Sequence, residues 1–401
     1  MPNYKYTAKN RNSETLNGIL ESKSQAEAEE LLHQKGLIIV SLKQTSARAA
    51  KEKFSNRVPL DDLVIFSRQL ATMIDSGITL IAALEILKEQ ADNKNLARII
   101  SYIYMDVEGG KSFCDAVAKY PQAFSDFYIN MIKAGEASGM LDEVLERLAL
   151  YLEKTASLRR KVISSLTYPA VIITMAGLIT MVLMIKVVPT FKNIFESLGG
   201  TLPTPTLILI FVSDIMRKYF LIMTAATVMA VVLLKRYIDT PKGRYKFDKF
   251  ILKIPIFGDL LMKVAVTRFA RTFSTLIKSG IPILNAMEIV GKTAGNKVVE
   301  ESVKNAREAV RQGESIRQPL ERAKVFPPMV VRMIGVGEQA GELEKMLSKI
   351  ADFYEDQVDA AVSGMTSIIE PLVIAFLGVV IGGIVFALFM PIFKISELVS
   401  K

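Results

Sequence analysis

Over most of the chain apolar residues recur at spacings of three and four, and in three places they run together with no charge between them. Leu63, Phe66, Leu70, Met73 and Ile74 form a helical stripe, with Gly77 where a helix C-cap would sit. Thr79, Ser112 and Ser125 stand as N-caps before further apolar-periodic runs. The uncharged runs are Val162 to Ile185, 24 residues, and Pro371 to Phe393, 23 residues. At about 1.5 Å per residue each exceeds the roughly 30 Å hydrocarbon core of a bilayer. Tyr219 to Leu234 offers only 16 uncharged residues, about 24 Å, so Arg217, Lys218, Lys235 and Arg236 would have to snorkel toward the headgroups. The start of the chain is different. Tyr4 to Thr7, Gly18 to Leu20 and Leu37 to Leu42 read as strands, and Ser24 to Glu27 is a capping box opening a helix that Gly36 closes. Lys43 to Pro59 is basic and lacks an apolar period, so it reads as a mobile linker.

The chain repeats itself. Phe66 to Leu87 aligns with Phe269 to Val290 at ten identities in 22, an offset of 203. Phe124 to Thr155 aligns with Phe326 to Gln357 at ten identities in 32, an offset of 202. The second alignment pairs Gly135-Glu136 with Gly337-Glu338 and Gly139 with Gly341. It extends into the apolar runs, where Pro169, Pro189, Phe191 and Lys192 match Pro371, Pro391, Phe393 and Lys394. Each copy therefore reads as a bundle of about six short antiparallel helices followed by a span. Two like bundles fold in the same compartment, yet each ends by leaving it, so a return crossing must lie between them. Tyr219 to Leu234 is the candidate.

Basic residues set the orientation. They gather before the first span (Arg147, Lys154, Arg159, Arg160, Lys161) and after Leu234 (Lys235, Arg236, Lys242, Arg244, Lys246, Lys249, Lys253), and they are sparser in the segment between. The N-terminus and both bundles are expected in the cytoplasm, the C-terminus outside, and no signal peptide is read at Met1 to Tyr6. The expected fold class is mainly α: an integral membrane protein with two duplicated cytoplasmic helical bundles, three transmembrane helices and a small N-terminal α+β module. The expected segments are a ββαβ-like module over 1–45, a linker over 46–58, bundle one over 59–161 and a span over 162–188. An external connector follows over 189–217, a return span over 218–236, bundle two over 237–367, a third span over 368–393 and an external tail over 394–401.

Composition narrows the chemistry. Half of the residues are apolar, with a net charge of +9, one Cys (Cys114) and one His (His33). No Cys/His set for structural zinc exists, and any His-dependent catalytic scheme would have to use His33. The positive charge could suit nucleic acid, but Trp is absent and no basic helix is interleaved with stacking aromatics, so a membrane is the better partner. Gly109-Gly110-Lys111-Ser112 ends like a phosphate loop, but Met105 stands where the pattern needs Gly. Gly335-Val-Gly337-Glu-Gln-Ala-Gly341 has the wrong spacing for a dinucleotide fingerprint and lies between helices. Both read as turns, with a nucleotide site the sharper alternative for the first and partner contact through Glu136 and Glu338 for the second. Arg68 with Glu85, repeated as Arg271 with Glu288, reads as a structural pair or a partner site. The spans carry no Asp, Glu, Lys, Arg or His, which argues against the alternative of a membrane transport or channel component.

These residues resemble a known family. The doubled Ser-Gly-Ile turn (Ser76 to Ile78, Ser279 to Ile281), the doubled Gly-Glu-x-x-Gly-x-Leu (Gly135 to Leu141, Gly337 to Leu343), and the membrane entry from Lys161 to Pro169 with Val187-Val-Pro189 beyond it carry the likeness. Together they are similar to the inner-membrane platform proteins of type II secretion and type IV pilus assembly, the GspF/PilC family. The second copy departs at Glu370, where the first has Tyr168. The resemblance implies a non-enzymatic scaffold without cofactor in a bacterial inner membrane. It implies a homo-oligomer that contacts a cytoplasmic assembly or secretion ATPase, pilin or pseudopilin subunits and other inner-membrane components of the machine. Candidate structural or partner-contact residues are Arg68, Gly77, Glu85, Gly135, Glu136, Gly139, Pro169, Pro189, Arg271, Gly280, Glu288, Gly337, Glu338, Gly341, Pro371, Gly378, Gly382 and Pro391. No residue is singled out as catalytic, cofactor-binding or metal-ligating. Acidic pairs such as Asp142-Glu143 leave metal binding open, since solvated helix starts carry the same pattern.

Overall fold

The computed structural model describes residues 3–9, 15–22, 24–34, 38–45, 58–197, 202–255 and 257–399. Strand β1 (Asn3–Lys9) lies between β2 (Thr15–Glu21) and β3 (Ile38–Thr45), antiparallel to both, with helix α1 (Gln25–Gln34) between β2 and β3 in the chain. Strand β3 ends at Thr45, the expected end of the module; over Lys43–Thr45, where no apolar period marks a strand, pairing with β1, as in Lys5 opposite Lys43, supplies the order. The expected closing Gly36 and most of the linker lie outside the described residues.

The rest of the described chain is helical. Helices α2 (Leu60–Asp75), α3 (Leu80–Gln90), α4 (Lys94–Glu108), α5 (Phe113–Ala118), α6 (Asp126–Ser138) and α7 (Leu141–Val182) make the first copy. After a π-helical turn, Leu183–Val187, α8 (Val188–Ser197) continues the line. Helix α9 (Thr204–Ile238) and the short α10 (Pro241–Ile251) lead to the second copy: α11 (Phe257–Lys278), α12 (Ile283–Thr293), α13 (Lys297–Arg311), α14 (Arg317–Ala323), α15 (Pro328–Ala340) and α16 (Leu343–Val399).

Each copy is built on one pairing of a short and a long helix, α2 on α7 and α11 on α16. The stripe of α2 is buried at Leu63, Phe66 and Leu70, and the duplication extends to the packing itself. Phe66 meets Phe124 with ring centroids 6.2 Å apart, and the equivalent Phe269 meets Phe326 at 4.8 Å. The three expected caps accept as anticipated: Thr79 from the N–H of Ala82, Ser112 from Asp115 and Ser125 from Tyr128. Asn93 and Asn296 act likewise at α4 and α13, each accepting two N–H bonds. The cores of the two bundles join into one apolar cluster that runs from Leu63 to Tyr354.

Three helical stretches are long and apolar enough to cross a membrane: Leu141–Ile194, Thr204–Ile238 and Leu343–Pro391. The first and third are not separate from the bundles. Helices α7 and α16 carry the last helix of each bundle directly into the apolar run, through Pro169 and Pro371, with no break at residue 161 or 367. The region expected as a connector is also largely helical, because α8 prolongs α7 and α9 begins at Thr204, well before the uncharged run. That extension gives the weak middle candidate its length.

Candidate functional site

The doubled Gly-Glu-x-x-Gly is a junction between the last two helices of each bundle. Gly139 and Gly341 take φ of 72° and 70°, the left-handed conformation that ends α6 and α15. The N–H of Met140 reaches back to the carbonyl of Gly135 at 3.0 Å, and that of Glu342 to Gly337 at 2.9 Å. Gly135 permits a close approach: a Cβ there would lie 3.0 Å from the Cβ of Val144 and 3.2 Å from the Cα of Leu141, tighter than ordinary contact. At Gly337 it would meet the Cγ of Met346 at 2.9 Å and the Cα of Leu343 at 3.0 Å. The last short helix of each bundle can therefore lie directly on the base of the long one.

The neighbouring glutamate turns inward. Glu136 accepts the N–H of Phe113 at 2.6 Å and of Cys114 at 2.8 Å, so its carboxylate caps the start of α5. Glu338 accepts the N–H of Ile316 at 2.8 Å and of Arg317 at 3.4 Å, in the equivalent place before α14. Both glutamates thus serve as internal caps. The phosphate-loop look-alike also resolves into a turn, with Gly110 at φ 86°, Lys111 paired to Asp106 at 2.6 Å and Ser112 capping α5.

The expected pairing of Arg68 with Glu85 does not form. Arg68 points across to α7, where Nη1 donates to Glu146 at 2.6 Å, and Nε and Nη2 donate to Glu153 at 2.6 and 2.9 Å. These bonds hold the Arg68 guanidinium more firmly protonated than usual, and Arg68's hydrogen bonds keep the Glu153 carboxyl below its ordinary range. Glu85 instead meets Lys88 at 3.4 Å on its own helix. In the second copy Arg271 donates to Asp352 at 2.7 Å and Glu355 at 2.9 Å, while Glu288 meets Arg307 at 2.9 Å and Lys292 at 3.6 Å. The reason is geometric: the side of α2 and α11 that carries the arginine faces the long helix. Glu153 and Glu355 occupy equivalent positions in the repeat alignment, a signal open to sequence reading.

A seam joins the two copies where their long helices run side by side. Lys161 pairs with Asp359 at 2.6 Å and Lys154 with Glu355 at 3.2 Å. Arg147 donates to the carbonyl of Lys278 at 2.7 Å, and the hydroxyls of Tyr151 and Thr272 meet at 3.1 Å. Burial lowers the Arg268 guanidinium beside this seam and raises the Tyr151 phenol. Leu158, Leu260, Val264, Val358 and Met365 close the seam with apolar contacts. Farther along, Thr206 of α9 donates to the carbonyl of Ala387 at 2.6 Å and Ser213 donates to that of Met184 in the π-helical turn. The turn precedes Pro189, which has no N–H to give, whereas α16 passes Pro391 as α-helix.

The other candidates are spread out. Gly77 and Gly280, at φ 83° and 75°, end α2 and α11. Pro169 and Pro391 are buried, Pro189 half-buried and Pro371 exposed. A Cβ at Gly378 or Gly382 would meet nothing within 4 Å, so the expected close approach there is not made within this chain among the described residues.

A duplicated helical protein whose two bundles each continue into an apolar helix is the class that this architecture defines. The profile of "Type II secretion system (T2SS), protein F" matches residues 66–189 and again 269–391, and that of its N-terminal domain matches residues 1–43. The chain is 42% identical to "Type IV pilus assembly protein PilC" of Thermus thermophilus over the full length of both chains. It is 43% identical to the protein of the same name from Myxococcus xanthus, over 84% of this chain and 80% of that one. It is 31% identical to "Type II secretion system protein F" of Vibrio cholerae, again over the full length of both. The chain belongs to the type II secretion system protein F family, and is an inner-membrane component of a secretion or pilus machine.

Proposed function

We propose that this protein is the rigid, non-enzymatic platform that links a cytoplasmic assembly ATPase to the extraction and polymerisation of pilin or pseudopilin subunits. The observation that carries the reading is the continuity of α7 and α16, each of which begins inside a bundle and runs uninterrupted into an apolar stretch. Each helix stays helical through the proline near the start of its apolar stretch, Pro169 or Pro371, so a displacement imposed on a bundle passes to the apolar segment along one continuous element with no loop between them. The seam adds to this, since it ties both bundles into one body.

The bundles are cytoplasmic in this reading, with α7, α9 and α16 crossing the bilayer, the N-terminus inside and the C-terminus outside. The cationic clusters on the bundle side of the apolar runs support that orientation. The ATPase would bind the bundles, the pilin would approach the spans, and copies of the chain would assemble at the base of the fibre. Identities of 42 and 43% to two pilus-assembly proteins, against 31% to a secretion protein, favour a pilus.

The test is to insert a flexible Gly-Ser tetrapeptide between Ser164 and Ser165, where α7 leaves its bundle. The variant is expected to reach the membrane and bind the ATPase while fibre assembly fails. Normal assembly by a variant shown to be flexible there would overturn the platform reading.

A further inference from the structure

Along the sequence, the stretch between α9 and α11 is simply a source of positive charge; the structure gives that charge a shape. From Lys235 to Lys253 there are seven basic residues and two acidic ones. Lys242, Lys246 and Lys249 follow one another at i, i+4 and i+7 on α10, and Lys253 extends the row at i+11 in the turn beyond it. The three on α10 share one helix face and span about 10 Å along the axis, and Lys253 carries the row on past the end of the helix. All four are exposed, and none forms an ion pair with a described residue. Phe250 stands beside them with 65% of its surface exposed, and Lys249 lies 5.9 Å from the centroid of the Tyr245 ring.

Three contacts on the opposite side fix this face outward. Asp248, which is buried, accepts the N–H of Lys297 at 2.7 Å and so caps the start of α13. Arg244 is occupied by Asp248 at 3.2 Å, which separates it from the lysine row. Gly243 sets the angle to α9: its N–H donates to Oγ1 of Thr240 at 3.1 Å, and a Cβ there would fall 1.9 Å from the carbonyl oxygen of Tyr237. Only two residues, Asp239 and Thr240, separate α10 from the end of α9.

We propose that this lysine face of α10 is a docking surface for anionic phospholipid headgroups on the cytoplasmic leaflet. The proposal rests on α9 crossing the bilayer, as in the function proposed above. A short basic amphipathic helix tethered directly to the end of a span stays within a Debye length of the charged surface, where each lysine adds to the attraction. An exposed phenylalanine among the lysines suits the headgroup boundary, which accepts an apolar ring beside charge. The surface holds the start of the second bundle against the membrane, so that α9 and α13 keep a fixed height relative to the leaflet. An acidic protein surface would complement the charge equally well, but the covalent tether and the exposed aromatic favour the lipid.

The experiment uses the full chain in nanodiscs of phosphatidylcholine mixed with phosphatidylglycerol, with co-retained lipid counted by native mass spectrometry after gentle release. The unaltered chain is expected to retain phosphatidylglycerol in preference to phosphatidylcholine, and added salt to weaken the preference. Lys242→Gln, Lys246→Gln, Lys249→Gln and Lys253→Gln together should reduce it at least about tenfold, each lysine contributing up to about fivefold. The same four changed to Arg should keep it, as should a control with Lys94, Lys133, Lys304 and Lys349 changed to Gln. Protease protection of α9 in the same nanodiscs separates a failure of the span to insert from a failure of lipid recognition. Undiminished preference in the glutamine variant overturns the proposal, as does an equal loss in the control. So does loss of a bound protein partner with lipid retention unchanged.

Discussion

Gly135 and Glu136 are adjacent in sequence and solve different problems. The glycine omits a side chain where Val144 and Leu141 stand too close for an ordinary contact, and the glutamate supplies acceptors where α5 begins with unpaired N–H groups. The Gly-Glu-x-x-Gly spacing identifies the helix end, because a left-handed glycine is a local requirement. The recipient of the carboxylate lies 22 and 23 residues earlier in the chain, and nothing local indicates it. Replacing Glu136 with Ala leaves two N–H groups in a half-buried place without their acceptor, and is expected to destabilise the first bundle by about 1–3 kcal/mol. Gln, which keeps one acceptor oxygen, should cost less. Because one of its two bonds is as long as 3.4 Å, Glu338→Ala should cost less than Glu136→Ala. Chemical unfolding of the detergent-solubilised chain measures all three, and a Glu136→Ala variant as stable as the parent would show the cap to be dispensable.

At the scale of elements, α2 is clasped to α7 by Arg68 together with Glu146 and Glu153. Glu153 titrates below its ordinary range because Arg68 donates to its carboxylate. A carboxylate lowered on folding contributes its stabilisation above its unfolded pKa and loses it as the pH falls through the folded value. Hydrogen exchange in α2 should therefore accelerate as the pH drops below the usual carboxylate range, beyond the intrinsic pH dependence of exchange. In Arg68→Gln that extra acid dependence should vanish; its persistence would assign the effect to other groups. The sequence makes the arginines conspicuous by repetition, yet it offers Glu85 and Glu288 as partners because they lie in the same repeated segment. Their helix, α3 or α12, instead turns them toward Lys88 or toward Arg307 and Lys292.

At the scale of the whole molecule, the two copies are bound through the roots of their long helices. Lys161 and Asp359 are both partly exposed, so their pair is worth only about 0.2–1 kcal/mol. Its effect is on relative placement more than on stability. Lys161→Asp or Asp359→Lys alone should alter chemical cross-linking between the bundles, and the double swap should restore the parental pattern; failure to restore it would mean that the pair does not set the seam. Apolar periodicity, uncharged length and self-similarity by themselves determined the helices, the three apolar runs and the tandem arrangement. Each of these is written in spacings along one chain, and hydrophobic burial acts on such spacings directly. Only the tertiary structure decided which groups Arg68, Glu136 and Asp248 engage, that α7 and α16 pass unbroken from bundle to apolar run, and that the lysines of α10 face outward together. Those outcomes depend on the rotation and proximity of helices far apart in sequence, where a hydrogen bond or a missing Cβ selects one packing among several that the same pattern allows.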